Sequence, residues 1–333
     1  MTATERGKRA TRAEVLAELQ GAERFLLVTH EHPDGDALGS LLAMHEILRA
    51  LGKDSTMFMA ADEFPLPYEY RFFDFDGLVS VPPDVGERTV VFLDCGNIDR
   101  NPADALDVED AHIVNLDHHH DNTHFGSVNH VVPEASCTAE IVWDLMHGLD
   151  VTPTVKIAEA LYVGLVTDTG KFMYENTGTR AHVMAAELID AGVDVHDVYH
   201  RIYEGVPYAK VALLACALGQ IERHDDGRLT LTRLSRDDFA TAGAEENFSE
   251  GVVDHLRAIE GTAVAALVRD RLGAPDPAQR KVSLRASDDR VDVSAIARAQ
   301  GGGGHRQAAG FSTTLPWDEL VAFLREQVAA QLS

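Results

Sequence analysis

Four short segments rich in aspartate and histidine carry the side chains best suited to chemistry in this chain. Each follows an apolar run that looks like a buried strand, and the segments are residues 30–36, Asp94, residues 117–120 and Asp168. The carboxyl ends of parallel strands meet at one edge of a sheet, so segments far apart in sequence can converge there. Acids and imidazoles gathered without basic partners would repel one another strongly. A bound cation, or a pair of cations, resolves that repulsion.

The types of these side chains restrict the metal and the reaction. Carboxylates and imidazoles without thiolates favour Mn²⁺, Mg²⁺, Fe²⁺ or Zn²⁺ over soft metals. No Gly-x-Ser-x-Gly elbow and no cysteine nucleophile motif is present, so a metal-activated water is the preferred nucleophile. Taken singly, Asp34, Asp94 and Asp168 could be helix-cap or turn residues, and residues 118–120 a surface histidine cluster. The combination of all four segments is much less probable by chance than any one of them.

Composition limits the class of protein. The chain has 333 residues, which favours two domains, and its net charge of −25 disfavours a basic groove for long nucleic acid. A small anionic ligand must then be attracted by a local positive centre, such as metals with a few arginines. Three separated cysteines, the lack of an apolar signal core and the lack of a span-length apolar run predict a cytoplasmic protein that does not enter a membrane.

The elements that must position these side chains alternate between strands and helices up to about residue 191. This pattern predicts an α/β domain with a mainly parallel sheet flanked by helices. Predicted strands end at Thr29 and cover residues 55–60, 89–93 and 112–116. A capping box at residues 11–14 opens the first helix, and a second helix ends near Gly52. Further helices are predicted at residues 138–147, 154–166 and 179–191.

From about Gly219 the pattern changes to that of a smaller α+β domain. A hairpin is predicted at residues 221–232, strands at 262–269 and 281–286, a helix at 293–299 and a terminal helix from Pro316. The predicted domains are residues 1–192 (catalytic, metal-binding), 193–218 (helical connector) and 219–333 (substrate-binding). The glycine run at 301–304 could bind an anion through its amides, permit close packing or form a flexible loop.

The order of these motifs resembles that of the DHH phosphoesterase superfamily, named for its Asp-His-His motif, over nearly the whole chain. The matching segments are residues 30–40, Asp94, residues 115–119, residues 167–172 and residues 302–310. The last segment is similar to the glycine-rich signature of the DHH-associated C-terminal domain. The chain looks most like the two-domain group of bacterial nanoRNases, pAp phosphatases and relatives that process cyclic dinucleotides. This resemblance implies an active site in the cleft between the two domains.

The resemblance also implies two divalent metal ions, with Mn²⁺ preferred, and a role for each segment. The first ion would be held by His30, Asp34 and Asp94, and the second by Asp36, Asp94, His118 and Asp168. The catalytic residues would be Asp94 as the bridge, His119 as a neutraliser of phosphoryl charge and Asp117 as the partner that orients an imidazole. The far end of the substrate would be held by Arg285, Gly302, Gly303, Gly304 and His305.

Two positions depart from the pattern of that superfamily. His32 stands where a small polar residue, often Asn, is expected, and this extra imidazole could alter the choice of metal. His120 extends the Asp-His-His motif, either as a substrate contact or as an exposed residue.

The implied activity is hydrolysis of short nucleotide substrates by a metal-activated water. The substrates would be nanoRNA and linear dinucleotides, cut to mononucleotides, and 3′-phosphoadenosine 5′-phosphate (pAp), cut to AMP, with cyclic di-AMP as a further candidate. A RecJ-like single-strand exonuclease should carry an extra basic domain, and a family II inorganic pyrophosphatase lacks the glycine signature. A non-catalytic nucleotide-binding regulator is the alternative from another class. The expected partners are short oligonucleotides or nucleotide phosphates, without long nucleic acid or a membrane, and a homodimer is the assembly to test.

Overall fold

The computed structural model describes residues 7–81, 83, 85–100, 111–304 and 306–332, with the side chain of Asp62 left aside. The chain forms two compact units, Met1–Gly205 and Val206–Ser333. Each unit contains a six-stranded sheet and its own buried apolar core. The predicted fold class, an α/β unit followed by a smaller α+β unit, is confirmed.

The first unit is built on a sheet in which neighbouring strands are parallel. Its strands are β1 (Arg24–Val28), β2 (Asp54–Phe58), β3 (Leu78–Val79), β4 (Thr89–Leu93), β5 (His112–Asp117) and β6 (Val128–Val131), in the order β3-β2-β1-β4-β5-β6. Strand β4 is buried at every position, as expected for a parallel strand covered on both faces. The register pairs Val28 with Phe92 and Leu93 with Leu116, so the carboxyl ends of β1, β4 and β5 lie side by side.

Six α-helices accompany this sheet in the part of the first unit that is described. They are α1 (Arg12–Gly21), α2 (Gly35–Ala50), α3 (Thr138–Gly148), α4 (Val155–Asp168), α5 (Thr179–Asp190) and α6 (Val195–Tyr199), followed by a π-helical turn at His200–Glu204. The capping box of α1 is present between Thr11 and Glu14. The run at 161–167 belongs to α4, so its strand-like reading is wrong and the helix predicted at 154–166 is right. A helix buried on most sides loses its amphipathic period, which makes its sequence look like a buried strand.

Helices α2 and α4 cross at glycine residues. A Cβ atom on Gly39 would lie 2.3 Å from the carbonyl oxygen of Ala160. A Cβ atom on Gly164 would lie 2.8 Å from Oδ1 of Asp36. Both contacts are too short for any side chain, so the close approach of the two backbones depends on glycine at both positions. It holds the first turn of α2 against the last part of α4.

The second unit has a mixed sheet. Its strands are β7 (Glu222–His224), β8 (Leu229–Leu234), β9 (Val264–Asp270), β10 (Arg280–Ala286), β11 (Gly303–Gly304) and β12 (Ala308–Thr313), in the order β11-β12-β10-β9-β8-β7. Its helices are α7 (Tyr208–Gly219), α8 (Arg236–Ala242), α9 (Val252–Arg257), α10 (Val293–Arg298) and α11 (Trp317–Leu332). The predicted hairpin is the antiparallel pair β7–β8. Helices α8 and α9 and strand β12 were not predicted.

Among the described residues, no single helix has the length and apolar character needed to cross a membrane. The helical segments Val195–Glu204 and Tyr208–Gly219, which are bent relative to each other, meet that test only when they are counted together.

The α2–α4 crossing generates a prediction for Gly39→Ala. The new methyl group would press on the backbone of α4, and we expect a loss of about 1–3 kcal/mol of unfolding free energy, as is usual for overpacked cores. Thermal unfolding measures this loss as a lower midpoint. The control is Gly21→Ala at the end of α1, where no atom lies within 4 Å of the added Cβ. Equal melting temperatures for the two variants would contradict the proposed packing constraint.

Candidate metal centre

The candidate site lies where three strand ends and two helix ends of the first unit meet. His30 follows β1, Asp94 follows β4, and Asp117 is the last residue of β5. Asp36 lies in the first turn of α2, and Asp168 is the last residue of α4. Three of the four segments therefore meet because they follow parallel strands whose carboxyl ends lie together, while Asp168 reaches the site from the end of a helix.

One group of possible ligands contains His30, Asp34 and Asp94. Their nearest ligand atoms all lie within 4.8 Å of one another, which is close enough to share one cation. His30 Nε2 is 3.6 Å from Asp94 Oδ2, and the opposite ring nitrogen, Nδ1, is 2.7 Å from the carbonyl oxygen of Glu31. That contact fixes the imidazole with Nε2 toward the aspartates, as is usual for a metal-binding histidine.

A second group contains Asp36, His118 and Asp168, whose ligand atoms again lie within 4.8 Å of one another. His118 Nε2 is 4.0 Å from Asp36 Oδ2 and 3.8 Å from Asp168 Oδ2. It is also 3.6 Å from Asp94 Oδ1. The two oxygens of Asp94 therefore face different groups, Oδ2 toward His30 and Oδ1 toward His118, so this carboxylate could contact a cation in either group.

The start of α3 holds the Asp36 carboxylate in place. The backbone N–H of Thr138 donates to Asp36 Oδ2 at 2.6 Å, and that of Ala139 donates to Oδ1 at 2.9 Å. The Thr138 hydroxyl donates to Asp94 Oδ1 at 3.0 Å. Free N–H groups and the helix dipole favour an anion at a helix N-terminus. Thr138 was not predicted as a site residue, although it begins a helix that the sequence did predict.

Asp34 has a double role at the start of α2. Its Oδ1 accepts hydrogen bonds from the backbone N–H groups of Asp36 and Ala37, both at 3.1 Å, so it is the N-cap of the helix. The same carboxyl group belongs to the first group of possible ligands. The capping explanation and the ligand explanation of this residue are therefore compatible.

His119 is oriented by Asp117. The ring Nδ1 of His119 lies 2.7 Å from Asp117 Oδ1, and the other oxygen of Asp117 accepts a hydrogen bond from Asn122 Nδ2 at 2.5 Å. Burial lowers the pKa of His119, but the bond to Asp117 and the charge of Asp94 outweigh it and raise the pKa to about 9. The imidazole therefore keeps a proton at neutral pH. His119 also forms a possible ligand group with Asp94 and His118.

Asn176 fixes the Asp168 carboxylate from the loop that follows α4. Its Nδ2 lies 3.1 Å from both Asp168 Oδ2 and the Asp168 carbonyl oxygen, and 2.8 Å from the carbonyl oxygen of Ser136. No pattern in the sequence singled out Asn176, because the contact depends on a loop conformation.

The carboxyl groups of the site differ in how readily they lose their protons. Burial raises the pKa of Asp36 well above its usual value, and the charges of Asp94 and Asp168 add to this effect. Burial also raises the pKa of Asp168 to about 6. The pKa of Asp94 is instead lowered, since hydrogen bonding from His30 and the nearby imidazoles outweigh its burial. A divalent cation would stabilise all the deprotonated carboxylates at once, so the donor set fits the expected metal ions.

The two extra histidines lie outside the ligand groups formed by the described residues. The side chain of His32 is 86% exposed and its Nδ1 lies 3.4 Å from Glu63 Oε2. His120 is exposed as well.

The predicted substrate-binding residues lie in the second unit. Arg285, Gly303 and Gly304 line a cavity of about 510 Å³. Gly302 does not line it, and a Cβ there would lie 2.2 Å from the carbonyl oxygen of Gly310, so this glycine permits close packing. Gly303 and Gly304 pair with β12, while a Cβ on Gly303 would meet open space. His305 lies outside the described residues.

Comparison with known proteins identifies the class. Residues 24–165 match the model of the DHH family, N-terminal domain, and residues 236–332 match that of the DHHA1 domain. The chain is also 35% identical, over 90% of its length and 86% of the relative's, to the bifunctional oligoribonuclease and PAP phosphatase NrnA of Thermus thermophilus. The chain therefore belongs to the DHH family, as the sequence motifs predicted.

Two solved structures share the fold. An exopolyphosphatase-related protein from Bacteroides fragilis is 21% identical with a TM-score of 0.83, and the match covers 96% of this chain and 95% of that one. The exonuclease RecJ bound to manganese is 16% identical with a TM-score of 0.58, covering 97% and 94%. Membership of this family indicates a hydrolase that acts on phosphate or phosphodiester bonds and uses divalent metal ions.

The ligand groups predict that divalent cations stabilise the chain through Asp94. Saturating Mn²⁺ should raise the melting temperature of the unaltered protein by about 5 °C or more, because a ligand that binds only the folded state stabilises it. Asp94→Asn should lose most of this increase, because it removes the charge shared by both groups.

The matched control is Asp150→Asn. Asp94 and Asp150 both have left-handed backbones, with φ of 59° and 55°, which asparagine tolerates. Asp150 is exposed and follows the C-terminal end of α3, the end opposite to Thr138, which contacts Asp36. Asp150→Asn should keep the full response to Mn²⁺. An unchanged response in Asp94→Asn would show that the cation binds elsewhere.

Proposed function

We propose that this chain is a two-metal phosphoesterase for short nucleotide substrates. It would cut nanoRNA and linear dinucleotides to mononucleotides and pAp to AMP, with cyclic di-AMP as a further candidate substrate. The observation that carries the proposal is the Asp94 carboxylate, whose two oxygens face two different groups of ligands. Paired metal ions bridged in this way are typical of enzymes that displace a group at phosphorus.

The proposed ligands of the first ion are His30, Asp34 and Asp94, and those of the second are Asp36, Asp94, His118 and Asp168. When bound, the ions, for which we propose Mn²⁺, supply Lewis acidity and an activated water nucleophile. Thr138 and Asn176 keep the carboxylates of Asp36, Asp94 and Asp168 in the orientation that coordination needs.

His119 is the proposed contact to the phosphoryl oxygens. Asp117 holds its Nδ1 side at 2.7 Å, which leaves Nε2 as the free donor. A protonated ring can donate a charged hydrogen bond to an oxygen on which negative charge develops during attack. The hydrogen bond to Asp117 favours this protonated ring, because it raises the pKa of His119.

The second unit would select the substrate. Arg285, Gly303 and Gly304 line its cavity, and a guanidinium group can bind a phosphate with two parallel hydrogen bonds. The relative from Thermus thermophilus carries the name of an oligoribonuclease and PAP phosphatase, which supports nucleotides as the substrate class. The net charge of −25 also favours small anions over long nucleic acid.

The test is a comparison of turnover on pAp, a linear di-adenylate, cyclic di-AMP and a long single strand, each with and without Mn²⁺. We expect Mn²⁺-dependent release of mononucleotides from the short substrates and much slower degradation of the long strand. Faster cutting of the long strand would favour a RecJ-like exonuclease. Absence of any hydrolysis, with metal bound and the fold intact, would favour a nucleotide-binding regulator.

A pair of neighbouring histidines provides a matched test of the site. His118→Ala removes a proposed ligand and should lower kcat/KM on the di-adenylate by at least about a hundredfold, since even outer-shell partners of metal sites cost 10- to 100-fold. His120→Ala removes an exposed imidazole two residues away and should retain activity. Full activity in His118→Ala would assign the reaction to another site.

A further inference from the structure

Lys281 lines the cavity of the second unit and forms no ion pair with the residues that the structure describes. Lys281, Ser283 and Arg285 alternate along β10 and line the cavity together. Alternate residues of a strand point to the same face, so the two cations lie on one side of the sheet. Lys281 and Arg285 are four positions apart along the strand, a distance of about 13 Å at the usual rise per residue.

The cations of this cavity are neutralised to different degrees. Arg269, opposite Lys281 on β9, forms an ion pair with Glu246 at 2.5 Å. Arg285 Nε lies 3.5 Å from Asp254 Oδ1. No ion pair to Lys281 is formed within the described part of the chain. Glu250, which precedes α9, also lines the cavity.

Among the described residues, the positive charge of Lys281 is offset only by the more distant charges of Glu250 and Glu246, without a direct ion pair. Burial lowers its pKa, and the positive charge of Arg269 lowers it further. An anion bound next to Lys281 would stabilise its charged form against both effects. A free lysine is ordinary on a protein surface, but here it shares a cavity of about 510 Å³ with the proposed phosphate contact Arg285, in a chain of net charge −25.

We propose that Lys281 binds a further phosphate group of substrates longer than a dinucleotide. The inference rests on the proposed function, in which Arg285 binds one phosphate of a short nucleotide. Because Lys281 and Arg285 are about 13 Å apart along β10, each could bind a different phosphate of the same oligonucleotide. Lys281 would then raise the affinity for longer oligonucleotides, whereas the metal centre would contact the same scissile phosphate in substrates of every length.

The first test measures binding, so that it does not depend on turnover. Labelled di- and tri-adenylate are titrated with the full chain carrying His119→Ala, in the presence of Mn²⁺, with and without Lys281→Gln. We expect Lys281→Gln to weaken trinucleotide binding about tenfold more than dinucleotide binding, the effect of one charged hydrogen bond. The slope of log affinity against log salt for the trinucleotide should fall by about 0.7, the value for one phosphate contact on a single strand.

Two control variants distinguish a direct contact between Lys281 and phosphate from a general effect of the net charge of the protein. Lys281→Arg keeps the charge and should retain the preference for the trinucleotide. Arg228→Gln removes one positive charge at an exposed position outside the cavity lining and should leave the ratio of the two affinities unchanged. An equal change in both affinities for Lys281→Gln, or an equal effect of Arg228→Gln, overturns the proposal.

Turnover by the otherwise unaltered chain distinguishes this proposal from the proposed function. If the chain hydrolyses both oligonucleotides, Lys281→Gln should lower the ratio of their kcat/KM values about tenfold, and an unchanged ratio contradicts the role of Lys281 alone. If the chain hydrolyses neither, the proposed function fails, and the binding ratio still decides whether Lys281 is a phosphate contact.

Discussion

Two buried carboxylates and two more accessible ones lie close together, and the structure of the first unit depends on how their repulsion is compensated. Asp36 and Asp94 are 1% and 2% exposed, and the ligand atoms of Asp34 and Asp168 lie close to theirs. Buried like charges favour the protonated, uncharged form, in which they would be poor ligands. The chain uses two separate means of compensation: the N–H groups that begin α3 stabilise Asp36, and the imidazoles of His30, His118 and His119 surround Asp94. These means leave the pKa values of Asp36 and Asp168 raised, so a bound cation would further stabilise the folded form of this centre.

The two means of compensation also explain why equally buried aspartates have opposite pKa shifts. Neutral N–H donors offset only part of the burial of Asp36, whose pKa stays raised. Imidazoles can carry a full positive charge, so the pKa of Asp94 falls despite the same burial. The carboxylate that is most easily deprotonated is thus the one that faces both ligand groups. A carboxylate with a lowered pKa would release no proton when a cation binds, whereas Asp36, with its raised pKa, would release one.

The sequence predicted the parts of this centre that follow from regular structure. The prediction that the residues after β1, β4 and β5 lie close together was correct, because parallel strands bring their carboxyl ends to one edge of the sheet. Asp168 was predicted as a ligand, although it reaches the site from a helix whose burial hides its period. Thr138 and Asn176 were missed because their contacts depend on how a helix start and a loop approach the aspartates, which no local pattern encodes. In the second unit, β12 was missed because its two alanines and one glycine lack the β-branched character of most strands.

The glycine at position 164 gives the interior of α4 a part in the metal centre. Its missing side chain leaves the space that the Asp36 carboxylate occupies, since a Cβ there would lie 2.8 Å from Oδ1. The same helix ends four residues later at Asp168, which belongs to the same ligand group. Helix α4 therefore contributes to the second group of possible ligands in two ways. Gly164 leaves space for the carboxylate of Asp36, and Asp168 supplies a carboxylate of its own. A residue with no functional group can therefore limit which side chains fit in the candidate metal centre, and a search for active-site residues by chemical type would overlook it.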